Sequence, residues 1–501
     1  MSKKVTRVIS RGIDDFGRGI VEIEGKTVFV DDLLPGEEAD VATYYEYGRL
    51  KDSRIEKRYT TSPDRVKPLC PYYGKCGGCQ LMHLSYQKQL EYKTKKVKDL
   101  LHKFASLDIE VLPTIGLADP TRFRNKVQKP VRRDKDNYNR IVCGFYQKGS
   151  HDLVPVKDCL VETALSNKIS NVLIKLIVKY DYRPYDEDRE TGSIRHLLIK
   201  TSSDNKALVT LVSVTKNLPH VDEFAKELMK ICPEVVGLVL NINKEKTNVI
   251  LGKYDVPVLG LDHITDTIFD NRFIISPQSF YQTNTRQIET LYGKAIEFAD
   301  LRETDTVLDA YCGTGTIGLC FARKVHGLTG VEINKDAVKD AIRNSLLNDI
   351  HNAHFERDDA TKFMMNTESR FDVIIMDPPR KGSTSEFINA CKRIAPRTIV
   401  YVSCDPVTLS RDLALFAPEY EVKKVQPVDM FPHTTHVETI VLLQRKTNQN
   451  QRKYLNLSTF ISISALKGTK KGILRRGWAR PTRLRYLSIS VELIRSTIHR
   501  N

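Results

Sequence analysis

The stretch Val307-Leu308-Asp309-Ala310-Tyr311-Cys312-Gly313-Thr314-Gly315-Thr316 decides the fold. An apolar strand runs into a glycine turn, and Ile317–Lys324 then reads as a helix. The glycines let backbone N–H groups approach a ligand, and a helix N-terminus adds partial positive charge there. Around this turn, Leu328–Ile333, Val373–Asp377 and Ile399–Cys404 are continuous apolar runs, with Lys335–Asn348 and Thr384–Ile394 as helices between them. Buried strands joined by crossover helices predict a parallel, doubly wound α/β sheet over 277–446. Tyr420–Pro427 and Thr439–Arg445 predict an antiparallel hairpin closing its edge.

Gly318 completes a G-x-G-x-x-G spacing, and Glu332 ends the next strand, where a carboxylate can take both ribose hydroxyls. At this point NAD and S-adenosylmethionine fit equally. Asp377-Pro378-Pro379-Arg380 separates them. The two prolines fix a rigid turn at the carboxyl end of a strand and leave carbonyls without competing donors. Dinucleotide dehydrogenases have no need of that turn, whereas methyltransferases acting on nucleobases carry it.

Thr398-Ile399-Val400-Tyr401-Val402-Ser403-Cys404-Asp405-Pro406 ends the following strand beside the same turn. A thiol at a strand end ahead of a helix is expected to be partly ionised, and the thiolate is the reactive species. Carbon 5 of uracil attacks a sulfonium methyl poorly until a thiolate adds to carbon 6. A base must then remove the carbon 5 proton. Glu438 is the candidate, with His433 and His436 as competitors.

The ten cysteines of a chain with cytoplasmic character are read as thiols, metal ligands or nucleophiles rather than disulfides. Cys232, Cys320 and Cys391 read as small buried residues. Cys70, Cys76 and Cys79 cluster in one loop, with Cys159 as the best fourth ligand and Cys143 in an alternating strand. Four thiolates suit an iron–sulfur cluster or zinc; His83 would complete a zinc site instead.

Residues 1–59 read as short strands separated by turns, a small β-barrel. Residues 60–276 read as a mixed α+β domain with strands at Arg140–Tyr146, His196–Thr201, Ala207–Thr215, Val235–Asn241 and Thr247–Leu251. The helix Ser85–Phe104 carries six lysines, read mainly as a solvated face and secondarily as phosphate contacts. The formal charge is +16, but 13 Lys+Arg against one acid after position 445 leave only +4 for the rest, so net charge argues weakly for nucleic acid. No apolar run spans a membrane and no signal core opens the chain, so a cytoplasmic, monomeric protein is expected. The segment 447–501 reads as a disordered basic tail.

Gln282, Asp309–Gly315, Asp377–Arg380, Ser403–Pro406 and His436-Val437-Glu438 together resemble the RNA uracil-carbon-5 methyltransferase family, over roughly residues 1–446. The resemblance implies Cys404 as nucleophile and Glu438 as proton acceptor. It implies that Gln282, Tyr311, Glu332 and Asp377 bind S-adenosylmethionine, with Asp359 as a candidate for the adenine. It implies an RNA-binding TRAM barrel over 1–59 and a [4Fe-4S] cluster on Cys70, Cys76, Cys79 and Cys159. The target uridine must be flipped or presented in a loop, with Phe280 either stacking on it or packing in the core. The branch acting on 23S ribosomal RNA is nearest; a tRNA enzyme, a methyltransferase for exocyclic amines and a non-catalytic RNA-binding protein are the rivals.

Overall fold

The computed structural model of the chain describes residues 2–446 except Thr247. The segment 447–501, expected to be a disordered tail, lies outside the described residues.

Six strands open the chain: β1 (Ser2–Ile9), β2 (Gly12–Ile13), β3 (Gly19–Ile23), β4 (Lys26–Val30), β5 (Glu38–Glu46) and β6 (Arg49–Arg58). They form two antiparallel sheets, β1-β5-β6 and β2-β3-β4. Side-chain alternation along the strands turns Val8, Val21, Val28, Val30 and Val41 into one small core.

The cysteine loop leads into α1 (Tyr86–Ala105). Lys93, expected among solvated lysines, is instead fully buried and donates to Asp429 Oδ1 at 2.5 Å. It shares one helical face with Gln89 and Val97, and that face is the one turned inward.

The central sheet follows: β7 (Lys126–Arg133), β8 (Ile141–Tyr146), β9 (Leu153–Pro155), α2 (Ala164–Lys179), β10 (Ile194–Thr201), β11 (Ala207–Ser213), α3 (Val221–Ile231), β12 (Val235–Ile242) and β13 (Tyr254–Gly260). Its order is β13-β12-β11-β10-β7-β8-β9, mixed in direction, with α2 and α3 sharing its buried core. The strand expected at Thr247–Leu251 does not form over residues 248–251; the edge strand is β13. Asn243 Nδ2 donates to the carbonyls of Val249 and Ile250, and Asn241 Nδ2 to that of Gly252. Side-chain amides thus take acceptors that a ladder would have used.

A hairpin of β14 (Ile264–Ile268) and β15 (Asn271–Ile275) and then α4 (Thr285–Ala299) precede the last sheet. That sheet comprises β16 (Thr306–Ala310), α5 (Thr316–Phe321), β17 (Gly327–Glu332), α6 (Lys335–Leu347), β18 (Ala353–Arg357), α7 (Ala360–Asn366), β19 (Val373–Met376), α8 (Ser385–Ile394), β20 (Thr398–Ser403), α9 (Pro406–Phe416), β21 (Tyr420–Val428) and β22 (Glu438–Arg445). Its order is β18-β17-β16-β19-β20-β22-β21, parallel except for β22. Apolar clusters pack on both faces, one with α4 and α5, the other with α8, α9 and Val97 and Leu101 of α1. Both faces covered is what the continuous apolar runs required.

Candidate active site

From β16 the chain moves outward to β17 and β18 on one side, then returns to β19 on the other. The loops after β16 and β19 therefore part and leave a crevice at the carboxyl edge. In the first loop Tyr311, Gly313 and Gly315 take φ of 64°, 56° and 77°. A Cβ on Gly313 would enter open space, the sort of cradle a ligand fills. Gly313 N donates to Glu332 Oε2 at 3.2 Å and Asn334 N to Oε1 at 2.8 Å, so both carboxylate oxygens are held in place. Tyr311 packs on Phe387 and shares a 3.1 Å hydrogen bond with Ser383 beyond the Asp-Pro-Pro turn. Asp359 Oδ1 caps α7, accepting from Thr361 N and Lys362 N.

Asp309, Asp377 and Glu438 gather negative charge here. Burial pushes Asp377 up to about 7. Burial also pushes Asp309 to about 7 despite the Gly318 N–H it accepts, with Asp377 and Glu332 adding to the rise. Such uncompensated carboxyls suit a cationic ligand, and S-adenosylmethionine carries both a sulfonium and an ammonium.

Gln282 is buried in the loop between β15 and α4. Lys200 Nζ donates to Ser276 O at 2.6 Å and Ser279 O at 2.7 Å, while Ser279 Oγ donates to Asp340 Oδ2 at 2.6 Å. Lys200 and Asp340 thus pin the loop from opposite sides. Neither was read from the sequence, because a lysine inside an apolar strand gives no local sign of its target. Phe280 in this loop is 60% exposed, so the core reading of it is set aside.

Ser403 pairs with Thr439 across β20 and β22. One residue further on, Cys404 leaves its strand where Glu438 enters the other. Burial, then the charges of Glu438 and Asp377, push the Cys404 thiol up to about 12, against a lowering by Arg380. The direction is opposite to the expected partial ionisation: burial first, and then the neighbouring carboxyls, disfavour the thiolate. Burial, then Asp377, push Glu438 up to about 8. His433 is buried with its Nδ1 3.3 Å from Gln89 Nε2, and burial holds it down at about 4. Desolvation, then Arg380 and the lysines of α1, also hold His436 at about 4.

Cys70, Cys76, Cys79 and Cys159 are partly exposed. Burial raises the Cys79 thiol, and Cys159, Cys76 and Cys70 each raise it further, so Cys79 feels the other three. Cys143 is buried, and its thiol responds to Lys129 and Glu162 rather than to a cysteine. His83 is hydrogen-bonded to Tyr73 and feels Asp32, Arg65 and Glu37, not a thiol. Among the described residues, no three His, Cys, Asp or Glu side chains are arranged to hold a single metal ion. Also among the described residues, no helix is long and apolar enough to cross a membrane.

The model of the tRNA (uracil-5-)-methyltransferase family matches residues 85–446. A protein of Clostridium tetani named as an RNA methyltransferase is 40% identical over 437 residues, 86% of this chain and 94% of the relative. Another so named, of Halalkalibacterium halodurans, is 39% identical over 453 residues, covering 88% and 97%. The crystal structure of Pyrococcus abyssi tRNA (uracil-54, C5)-methyltransferase with S-adenosyl-L-homocysteine superposes with a TM-score of 0.70 and 27% identity, covering 87% of this chain and 99% of that one. This chain belongs to the tRNA (uracil-5-)-methyltransferase family and is an S-adenosylmethionine-dependent RNA methyltransferase.

Proposed function

We propose that the chain methylates carbon 5 of a uridine in RNA, with Cys404 as nucleophile and Glu438 as proton acceptor. The observation that carries this reading is the opposition of the two positions at the facing ends of β20 and β22, beside Asp377. The Cys404 thiol gives up its proton to solvent and its sulfur adds to carbon 6, forming the S–C6 bond and moving the ring electrons into an enolate. S-adenosylmethionine, when bound, supplies the electrophilic methyl that carbon 5 takes. Glu438 then accepts the carbon 5 proton, the C5–C6 double bond re-forms, and the thiolate is expelled. Raised by burial and then by Asp377, the Glu438 carboxylate is a stronger base than an ordinary one. Arg380 is the cation that favours the thiolate.

Gln282, Tyr311, Glu332 and Asp377 hold the cofactor in this reading, with Asp359 toward the adenine and exposed Phe280 stacking on the flipped uracil. Cys70, Cys76, Cys79 and Cys159 hold a [4Fe-4S] cluster. Its support is the clustering of Cys70, Cys76 and Cys79 in one loop, and the influence of Cys159, Cys76 and Cys70 on the Cys79 thiol. No step above uses it, so its role is structural. Residues 1–59 serve as the RNA-holding TRAM barrel, 60–276 as the central domain and 277–446 as the methyltransferase domain of a cytoplasmic monomer.

The proposed substrate is 23S ribosomal RNA. A tRNA is the second reading, favoured by the Pyrococcus abyssi tRNA enzyme, which shares 87% of this chain's length. Mapping 5-methyluridine in both RNAs from a deletion strain separates the two. Trapping a covalent complex with 5-fluorouridine RNA tests the mechanism, and a normal trap with Cys404→Ala would end it.

A further inference from the structure

One face of α1 grips the loop that delivers Glu438. Tyr86, Gln89, Lys93 and Lys96 recur at helical spacing, and each reaches the segment between β21 and β22. Tyr86 Oη donates to Asp429 Oδ2 at 2.9 Å, and Lys93 Nζ to Asp429 Oδ1 at 2.5 Å and Phe431 O at 3.0 Å. Gln89 Oε1 accepts from His433 N at 2.9 Å, and Lys96 Nζ donates to Thr435 O at 3.2 Å. His433 stands at φ 67°, and its carbonyl accepts from both Gln80 N and Leu81 N at 2.9 Å. The cysteine loop is thereby tied to the same turn. Lys93, Asp429 and Gln89 are at most 1% exposed, so these bonds are shielded from competing water.

A buried lysine and its carboxylate are a costly way to fill space, since apolar residues of the same volume serve stability as well. What they add is direction: Tyr86 and Lys93 hold the Asp429 carboxylate, which accepts from Phe431 N, Lys93 holds the Phe431 carbonyl, and Gln89 holds His433 N. We propose that Tyr86, Gln89, Lys93 and Asp429 are positioning residues that set Glu438 for removal of the carbon 5 proton, and so for release of the RNA. This rests on the covalent mechanism proposed above. Cys404 stands on β20, outside this clamp, so adduct formation and methyl transfer depend on it less than proton removal does.

The double variant Lys93→Met/Asp429→Leu removes the clamp while keeping the interior apolar and filled. Lys96→Met loosens it without touching a buried charge. Each is mixed with methyl-labelled S-adenosylmethionine and RNA from a deletion strain carrying [5-³H]uridine. The expected result is methyl label held in a denaturation-resistant protein–RNA adduct, with tritium release slowed about tenfold to a hundredfold and methyl transfer changed far less. Equal loss of methyl transfer and tritium release, with no adduct, overturns the proposal, whether the variants are fully folded or not. A wild-type rate in both variants overturns it as well. If Cys404→Ala methylates RNA normally, it is the underlying mechanism that has failed.

Discussion

Glu438, which opens β22, lies within electrostatic reach of Asp377 just after β19, and burial, then this second carboxyl, pushes Glu438 up to about 8. Two acids that resist joint ionisation line a site whose ligand is cationic. The same repulsion makes Glu438 an effective proton acceptor.

This pairing gives folding a pH signature. The native state binds the Glu438 proton more tightly than the unfolded chain, whose carboxyl sits near 4.5. Its contribution to stability is therefore full below about pH 4.5 and is lost as pH rises toward 8. Glu438→Gln removes the titration. The Tm of the variant minus that of the wild type, followed by calorimetry without cofactor, should increase between pH 5 and 8; a flat difference contradicts the assignment. In turnover, this variant should hold methylated RNA as a covalent adduct.

Cys404→Ala should lower methylation by more than about a thousandfold, because it removes the sulfur that adds to carbon 6. The side chain is only partly buried, so stability should change by about 1 kcal/mol or less. Methyl-label incorporation alongside a thermal melt checks both halves.

Gly330 lies on β17 against Phe355 of β18. A Cβ there would meet the Phe355 ring carbons at 2.4 and 2.6 Å, and the same ring flanks Gly315. Gly330→Ala should destabilise the fold by about 1–3 kcal/mol through overpacking. It should also weaken S-adenosylmethionine binding by displacing the glycine turn, readable by calorimetric titration.

Lys200→Met should raise the dissociation constant for S-adenosylmethionine, since two carbonyls of the Gln282 loop lose their donor. A loss of about 1–3 kcal/mol in stability should accompany it, as two buried acceptors are left unmade. Unchanged affinity in a titration would remove Lys200 from the site.

Protein purified without oxygen should be brown and contain iron. Cys79→Ser should lose that iron while binding S-adenosylmethionine, because Gln282, Tyr311, Glu332 and Asp377 all lie outside the cysteine loop. Stoichiometric zinc in place of iron would sink the cluster, and elemental analysis decides.

The doubly wound sheet was legible because its strands are continuous apolar runs and its turns carry glycine and proline at fixed places. The closing hairpin read at Tyr420–Pro427 and Thr439–Arg445 is observed within one residue at each strand, as β21 and β22. The same reading passed over β18, whose five residues offer one buried side chain, Phe355, to mark it. It also passed over α4, although Ile288, Leu291, Tyr292 and Ala295 are buried on one face of it.

Sequence alone determined the chemistry on offer: a glycine turn, an Asp-Pro-Pro corner, a strand-end thiol and a carboxyl near the last strand. Only the tertiary structure decided their electrical state and their supports. A thiol beside a helix start reads as acidic, yet the fold buries it among carboxyls and raises it. Lys93 reads as one more surface lysine, yet its partner lies 336 positions away along the chain. Charge acts through space, and local pattern carries no record of what the fold brings close.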